Sequence, residues 1–327
     1  MKTKLLSLAS MLAAFNLNAI EIGPTGSGVD MSGFIDIQSM KQGSDSETTG
    51  AQVELNFGFA NGPVSAAVGL DFGNIAAYGM DGSGPDSEGH NLEEAYMTYD
   101  FGNGFSVTGG RMLTYMGFEA FDPTNMYQFS YAYDITGGQD IYDAYDYGAS
   151  IDYGTDAFSI GVWSSLENEA GYELALAFTG IENFTAKAIW SDFSNVTPTA
   201  AGTPYEKSTY WISYQMDKLL LAVEVAEKDS QGTTAFNSGD DVDGLMVMAN
   251  YGVSDAVGLT LRYSETEYTD YDGSTLKYEG SKFTISPSYV FTDSLSGLLE
   301  YSSYSRDAGT TYAEPEELIA AEVIFTF

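Results

Sequence analysis

Cysteine is absent from the 327-residue chain, and histidine occurs once, at His90. Without thiols the protein can form neither disulfides nor thiolate metal sites, so its fold alone must stabilise it. A single histidine also restricts catalysis, because any Ser-His-Asp arrangement would have to use His90. That residue lies in a segment rich in Gly, Ser and Asp, where a solvated side chain is expected. Nothing singles out a pair of catalytic carboxylates either, so we predict no enzymatic activity and no cofactor.

Basic residues are scarce. Lys and Arg number 12, whereas Asp and Glu number 47, which gives a formal net charge of −35. Nucleic acid is excluded as a partner, because phosphate binding requires clustered Lys and Arg. Two acidic stretches, residues 239–244 and 270–274, offer the oxygen ligands that calcium accepts, but neither has the spacing of an EF-hand loop. Asp and Gly are common in solvated turns, so we predict solvated turns at both stretches and assign no metal ligands.

Long apolar runs are missing after the N-terminus. Lys2 and Lys4 precede an apolar run from Leu5 to Phe15, and Ala19 follows as a small residue of the kind after which signal peptidase cleaves. The run is much shorter than the about 20 residues that a membrane-spanning helix needs, and it is typical of a secretory signal peptide. We therefore predict a signal peptide over residues 1–19 and a single domain over residues 20–327.

The remaining chain is rich in glycine and aromatic residues and has an apolar period of two, which favours strands and turns. Val53, Leu55 and Phe57, for example, alternate with polar or small residues. Segments of about ten residues with this pattern are typical of transmembrane β-strands. The pattern predicts sixteen strands, at residues 30–40, 50–60, 63–73, 91–101, 104–112, 141–154, 156–165, 171–180, 183–193, 207–217, 218–228, 241–252, 255–265, 278–290, 293–305 and 316–327.

Tight turns and longer loops alternate between these strands. Asn61-Gly62 and Asp217-Lys218 are two of the tight turns. The connections that alternate with the tight turns are longer and polar, with a short exception at 166–170. Short turns on one rim and long loops on the other are typical of outer-membrane barrels. A soluble β-sandwich also alternates, but sixteen long strands would make an unusually large one. We therefore predict an all-β fold, a 16-stranded antiparallel transmembrane β-barrel.

The chain ends on an alternating strand whose last residue is Phe327. This ending resembles the signal by which Gram-negative outer-membrane proteins are recognised for insertion. Aromatic residues near other strand ends, such as Tyr99 and Phe158, fit the aromatic girdles at membrane interfaces. We therefore predict a multi-pass protein of the Gram-negative outer membrane, in contact with its lipids.

Charged residues occupy the positions that alternate with the apolar set, so they are predicted to line the interior. A barrel of this size is wide enough for an aqueous channel, and carboxylates along such a channel favour cations. We therefore predict a weak cation preference. The predicted pore-lining residues are Asp36, Glu54, Asp71, Glu94, Asp146, Asp152, Glu173, Glu224, Glu300 and Glu322, with the bases Lys187, Arg262 and Lys282.

The longest irregular stretch is an aromatic segment over residues 110–133, the third of the long loops. It resembles the OmpL-like β-barrel porin family, whose G-R-x-x-T-x-x-G-x-E run and following Asn and Ser are matched by Gly110-Arg111, Thr114, Gly117-Phe118-Glu119, Asp122-Pro123, Asn125 and Ser130-Tyr131. The family's Pro and Thr-His-Gly positions have no counterpart in residues 134–143. The resemblance implies a porin for passive diffusion of small hydrophilic solutes and cations, assembled as a homotrimer. It also implies that this loop folds inward and forms the constriction.

Arg111, Thr114, Glu119, Asp122 and Asn125 are the candidate constriction residues. The guanidinium of Arg111 stays charged, so we expect it to pair with Glu119 or Asp122, chiefly as an anchor for the loop. Arg111 shares the parity of Phe105 and Val107, which would aim it at lipid. We therefore expect a β-bulge at Gly109 and Gly110 that turns it inward.

Two other functions fit the same barrel. In a substrate-selective channel, Tyr115, Phe118, Tyr127 and Phe129 would line a path for a solute such as a sugar. In a non-conducting structural or adhesive barrel, the loops would carry the function.

Overall fold

A computed structural model of the chain describes residues 19–24, 26–44, 46–73, 92–119, 122–135, 141–143, 145–167, 171–194, 204–230, 240–270, 276–307 and 317–327. Residues 1–18 of the predicted signal peptide, His90, and residues 239 and 271–274 of the two acidic stretches lie outside these ranges. Within the described ranges, no helix is both long and apolar enough to cross a membrane.

Strands make up almost all of the regular structure. A two-residue strand is followed by sixteen longer ones, whose ends all lie within five residues of the predicted ones. The strands are β1 Ile20–Glu21, β2 Val29–Gln42, β3 Thr48–Asn61, β4 Val64–Gly73, β5 Leu92–Asp100, β6 Phe105–Leu113, β7 Tyr145–Gly154, β8 Phe158–Ser165, β9 Tyr172–Phe178, β10 Phe184–Asp192, β11 Tyr205–Met216, β12 Leu219–Ser230, β13 Asp240–Gly252, β14 Val257–Asp270, β15 Leu276–Thr292, β16 Leu295–Asp307 and β17 Glu317–Thr326. A short 3₁₀ helix spans Pro123–Asn125.

The sheet closes on itself. Each strand from β2 to β16 pairs antiparallel with the next, and β17 returns to pair antiparallel with β2. The backbone N–H of Phe327 donates to the carbonyl of Gly33 at 3.0 Å, and Gly33 donates back at 2.9 Å. The terminal aromatic residue thus lies at the seam of the barrel. The predicted 16-stranded antiparallel barrel is confirmed.

The two faces of the wall differ sharply in exposure. In β17, the side chain of Ile319 is 55% exposed, whereas that of Glu322, on the other face, is 4% exposed. The same alternation recurs along the other strands, with large apolar side chains on the exposed face. Closure of the sheet makes this the outer face, which is the one that lipid would cover. The buried, more polar face is called the inner face below.

The expected bulge at Gly109 and Gly110 is wrong. Strand β6 pairs in continuous register with both neighbours through these glycines. Gly110 instead has a φ of +141°, and a Cβ there would lie 2.6 Å from the Cα of Tyr96. The glycine therefore permits a close approach of β5 to β6 and does not add a residue to the strand.

A bulge occurs one strand earlier, in β5. The register between β4 and β5 jumps from the pair of Gly69 with Glu94 to the pair of Leu70 with Leu92. Glu93 is the extra residue and has no Cα partner on β4. Its side chain is buried, although it alternates with Glu94, which the period of two assigns to the inner face.

Candidate functional site

Residues 114–143, which belong to the connection between β6 and β7 and are described except at 120–121 and 136–140, are called the segment below; its first residues bind carboxylates of the inner face. The backbone N–H of Tyr115 donates to Glu173 at 2.9 Å, and its hydroxyl donates to Asp152 at 2.7 Å. Further along, the N–H of Gly117 donates to the hydroxyl of Thr209 at 3.3 Å. Two of the acids predicted to line a pore therefore hold the start of this segment.

Glu119 forms the central ion pair of the site, with Arg262 of β14, and both side chains are buried. The carboxylate of Glu119 also accepts hydrogen bonds from Gln128 and from the N–H of Ala132, each at 2.7 Å. Arg262 in turn donates to the carbonyl of Ser130 at 2.6 Å. The expected pairing of Arg111 with Glu119 is therefore wrong. Glu119 pairs instead with Arg262, which lies on β14 in another part of the barrel.

Two more charged side chains of the barrel wall form hydrogen bonds with the same part of the segment. The ammonium group of Lys282 donates to Asp134 at 2.6 Å and to the carbonyl of Tyr131 at 2.9 Å. The backbone N–H of Ser130 donates to Glu300 at 2.9 Å, and its hydroxyl donates to the same carboxylate. Buried charges are normally paired in this way, because an unpaired one is costly. Lys282 and Glu300 thus serve as anchors for residues 130–134.

Glu224 of β12 accepts hydrogen bonds from two tyrosines in the later part of the segment. The hydroxyl of Tyr142 donates to this carboxylate, as does that of Tyr133 at 3.3 Å. Burial and the negative charge of Glu224 raise the pKa of both phenols well above 10, so both stay protonated and remain donors. Asp143, next in the chain, pairs with Lys207 of β11.

A second set of acids lies on the inner face of a different group of strands, β2 to β5. Asp36, Glu54 and Asp71 of β2, β3 and β4 are each at most 3% exposed, and Glu94 of β5 is half-buried. Asp122 of the segment faces them. Oxygen atoms of Glu54, Glu93 and Asp122 all lie within 4.8 Å of one another. Burial, with the charge of Asp71 in addition, raises the pKa of Asp122 to about 6. The arrangement can hold a cation or share protons.

Arg111 lies on the outer side of β6. Its Nε donates to the carbonyl oxygen of Glu93 at 2.9 Å, and its guanidinium carbon lies 5.5 Å from the ring centroid of Tyr147. Tyr147 belongs to the exposed outer face. The structure therefore places Arg111 against β5 and β7 and away from Glu119 of the segment.

The other candidate residues are dispersed. Thr114 donates to the carbonyl of Asp143 at 3.0 Å and so joins the two ends of the segment. Asn125 ends the 3₁₀ helix and is exposed. Lys187 of β10 lies with its ammonium 5.1 Å from the ring centroid of Trp211, which favours a cation–π contact. Asp146 is half-buried at the start of β7 and accepts a hydrogen bond from the N–H of Tyr147.

Several site residues were missed by sequence reasoning, among them Glu93, Asp134, Asp143 and Lys207. Glu93 has outward parity in a regular strand, but two consecutive acids in an alternating segment indicate a bulge. Asp134 and Asp143 lie where the match to the family run ends, and no local signal indicates their partners.

The closed wall of sixteen antiparallel strands, with an apolar outer face and a charged inner face, defines an outer-membrane β-barrel of the porin type. A family profile described as "Putative beta-barrel porin-2, OmpL-like" matches residues 32–327, so the chain belongs to this family. The resemblance noted in the sequence is thereby confirmed. Family and fold together support a location in the outer membrane. No curated protein matched the chain in sequence.

Solved porin structures have the same fold. OmpF of Salmonella typhi, in complex with daunomycin, has a TM-score of 0.69 at 14% identity, over 94% of this chain and 100% of that chain. An anion-selective porin from Comamonas acidovorans has a TM-score of 0.65 at 13% identity, over 91% and 99%. In-vitro folded OmpT of Vibrio cholerae, in its trimer form, has a TM-score of 0.61 at 14% identity, over 91% and 99%. At these identities the likeness establishes the fold alone.

Proposed function

We propose that the protein, after removal of a signal peptide over residues 1–19, is a porin for passive diffusion of small hydrophilic solutes. In this proposal the segment over residues 114–143 lies inside the barrel and narrows it. Support comes from its hydrogen bonds, which reach inner-face side chains on β7, β9, β11, β12, β14, β15 and β16.

A weak cation preference is supported by a difference between the bases and the acids of the inner face. The bases Lys207, Arg262 and Lys282 each form an ion pair with an acid of the segment, so their positive charge is balanced where it lies. The acids Asp36, Glu54 and Glu94 instead lie near one another on β2, β3 and β5. A carboxylate-rich wall attracts cations and repels anions.

Planar-bilayer recordings test this proposal. With a KCl gradient across the bilayer, the reversal potential is expected to have the sign of K⁺ preference. Replacing Asp36→Asn and Asp71→Asn together is expected to move it toward zero, because two inner-face charges are lost. Glu182→Gln is a control, because Glu182 is exposed in the turn between β9 and β10. A reversal potential with the sign of Cl⁻ preference would contradict the proposal.

A non-conducting barrel is the second candidate, and one observation favours it. Tyr133 and Ile141 of the segment are fully buried in an apolar cluster with Val242 and Met246 of β13. Such packing would close that side of the interior to water. Single-channel recordings separate the two functions, because a structural barrel would carry no current whereas a porin shows steady ohmic steps.

A homotrimer is the proposed assembly. It is implied by the family resemblance, and OmpT of Vibrio cholerae provides a trimeric example of the fold. Native mass spectrometry of the detergent-solubilised protein tests it, since the mass observed would be three times 35.2 kDa less the signal peptides.

A further inference from the structure

We propose that Glu54, Glu93 and Asp122 form a binding site for one hard divalent cation, Ca²⁺ or Mg²⁺, which ties the 114–143 segment to β3 and β5. This goes beyond the proposed porin function, because a cation that joins the segment to the wall does not require that the barrel conduct. Three carboxylates converge at this site, one of their oxygens has no N–H or hydroxyl donor among the described residues, and a bulge in β5 supplies Glu93.

Three carboxylates from separate elements converge at the site. Glu54 lies in β3, Glu93 in β5 and Asp122 in the segment just before its 3₁₀ helix, and one oxygen of each lies within 4.8 Å of the others. Carboxylates this close repel one another unless a proton or cation lies between them. Because the three oxygens lie within 4.8 Å of one another, an ion at their centre would be at most about 2.8 Å from each, so a small contraction gives the distances that Ca²⁺ prefers.

Glu54 provides the second, independent observation. Its side chain is 3% exposed. One carboxylate oxygen, Oε1, accepts a hydrogen bond from Asn56, whereas Oε2 has no N–H or hydroxyl donor among the described residues, and the carboxyl groups of Glu54 and Asp122 are within hydrogen-bonding distance of each other. A buried carboxylate oxygen without a donor costs free energy, and a bound cation removes that cost.

The bulge in β5 is what turns the third carboxylate inward. In a regular strand Glu93 would share the outer face with Met97, whose side chain is 66% exposed. The bulge instead buries the side chain of Glu93 beside Glu94. The backbone carbonyl of Glu93 accepts a hydrogen bond from Arg111. Bulges often re-aim a side chain next to a functional site. Adding a carboxylate to an acidic cluster is unfavourable by itself, so a compensating cation explains why the strand is built this way.

The donor set selects the class of ion. Three carboxylates offer hard oxygen ligands and three negative charges, which suit Ca²⁺ and Mg²⁺. Softer ions such as Zn²⁺ prefer sulfur or imidazole, and the chain has no cysteine and one histidine. Backbone oxygens and water would complete the coordination shell.

Calorimetric titration of CaCl₂ and of MgCl₂ into the chelator-treated, folded full-length protein in detergent tests the site. We expect one bound ion per chain, and at least about a tenfold weaker affinity in Glu93→Gln and in Asp122→Asn, because each removes a charged ligand. Glu182→Gln, which removes an exposed acid, is expected to bind as the unmodified protein does.

Each variant is first compared unheated and boiled on a gel, so that a folding defect is recognised. Asp122→Asn lies outside the strands and leaves strand pairing intact, so it remains informative if Glu93→Gln folds poorly. Absence of saturable binding of both ions, or equal affinity in Asp122→Asn and the unmodified protein, would overturn the site. The result is independent of conductance: a silent barrel that binds Ca²⁺ refutes only the porin proposal, and a conducting barrel that binds neither ion refutes only the site.

Discussion

The Nε of Arg111 donates to the carbonyl oxygen of Glu93 at 2.9 Å, while its guanidinium lies 5.5 Å from the centroid of the Tyr147 ring. One side chain thereby connects β5, β6 and β7 at the point where β5 bulges. Arg111 acts on the inner face through the backbone of Glu93, with its own charge on the outer side of the wall.

Replacing Arg111 should therefore weaken the barrel locally. We expect Arg111→Gln to lower the free energy of unfolding by about 1–2 kcal/mol, since it loses a charge-assisted hydrogen bond and a cation–π contact. Urea titration of the folded barrel in detergent measures this. Lys41→Gln, an exposed position on β2, is the matched control. Equal stability of the two variants would show that the contact with Glu93 contributes nothing.

The strand framework was predictable because its signals are local. Alternation in a stretch such as Val53 to Phe57, and turn residues such as Asn61-Gly62, locate strands and their ends without any knowledge of distant contacts. Parity also assigns Asp36, Glu54 and Glu300 to the polar face. The resemblance of the run from Gly110 to Glu119 identifies the family, which the profile match confirms.

What could not be predicted depends on contacts between distant residues or on a change of one residue in register. Glu119 and Arg262 are 143 positions apart, and no periodicity relates them. The bulge at Glu93 reverses the parity of one residue, and that reversal is enough to move a carboxylate across the wall. The expected bulge was placed at Gly109 and Gly110 because glycine permits one, but the glycine there serves a close approach of strands.

Gly110 provides a test with a neighbouring control. Its φ of +141° is disfavoured for residues with a Cβ, and an added Cβ would lie 2.6 Å from the Cα of Tyr96. We expect Gly110→Ala to destabilise the barrel by about 2 kcal/mol or more, since backbone strain and a steric clash add. At Gly109 an added Cβ would meet nothing within 4 Å, so Gly109→Ala should be nearly neutral. Urea midpoints that shift equally in the two variants would contradict this account of β6.

The ion pair between Glu119 and Arg262 should show strong coupling. Arg262→Met leaves a buried carboxylate with two neutral donors, which we expect to cost about 3–5 kcal/mol of unfolding free energy. Glu119→Gln alone removes the carboxylate paired with the guanidinium, but the charges of Glu300 and Asp134 still stabilise Arg262, so a smaller loss is expected. The double variant should be more stable than the sum of the two losses implies, because neither buried charge then remains. A double-mutant cycle in urea measures the coupling, and simple additivity would show that the two side chains do not interact.

Lys282 should control how firmly the segment is held. Its ammonium group binds Asp134 at 2.6 Å, the carbonyl of Tyr131 at 2.9 Å and the hydroxyl of Ser130. Lys282→Met keeps an unbranched stem in the wall but removes all three bonds, so the segment should move more freely. In a conducting barrel this predicts larger current noise and higher single-channel conductance.

Lys187→Met is the control for this variant. Lys187 also lies on the inner face of the wall, but its contact is with the Trp211 ring of the neighbouring strand, 5.1 Å from its ammonium group. Both variants remove one inner-face positive charge, so they change the electrostatic field to a similar extent. Of the two variants, only Lys282→Met removes contacts to residues 130–134, and a difference in noise between the two variants therefore reports on anchoring of the segment. If both variants change noise and conductance equally, charge accounts for the effect and Lys282 does not restrain the segment.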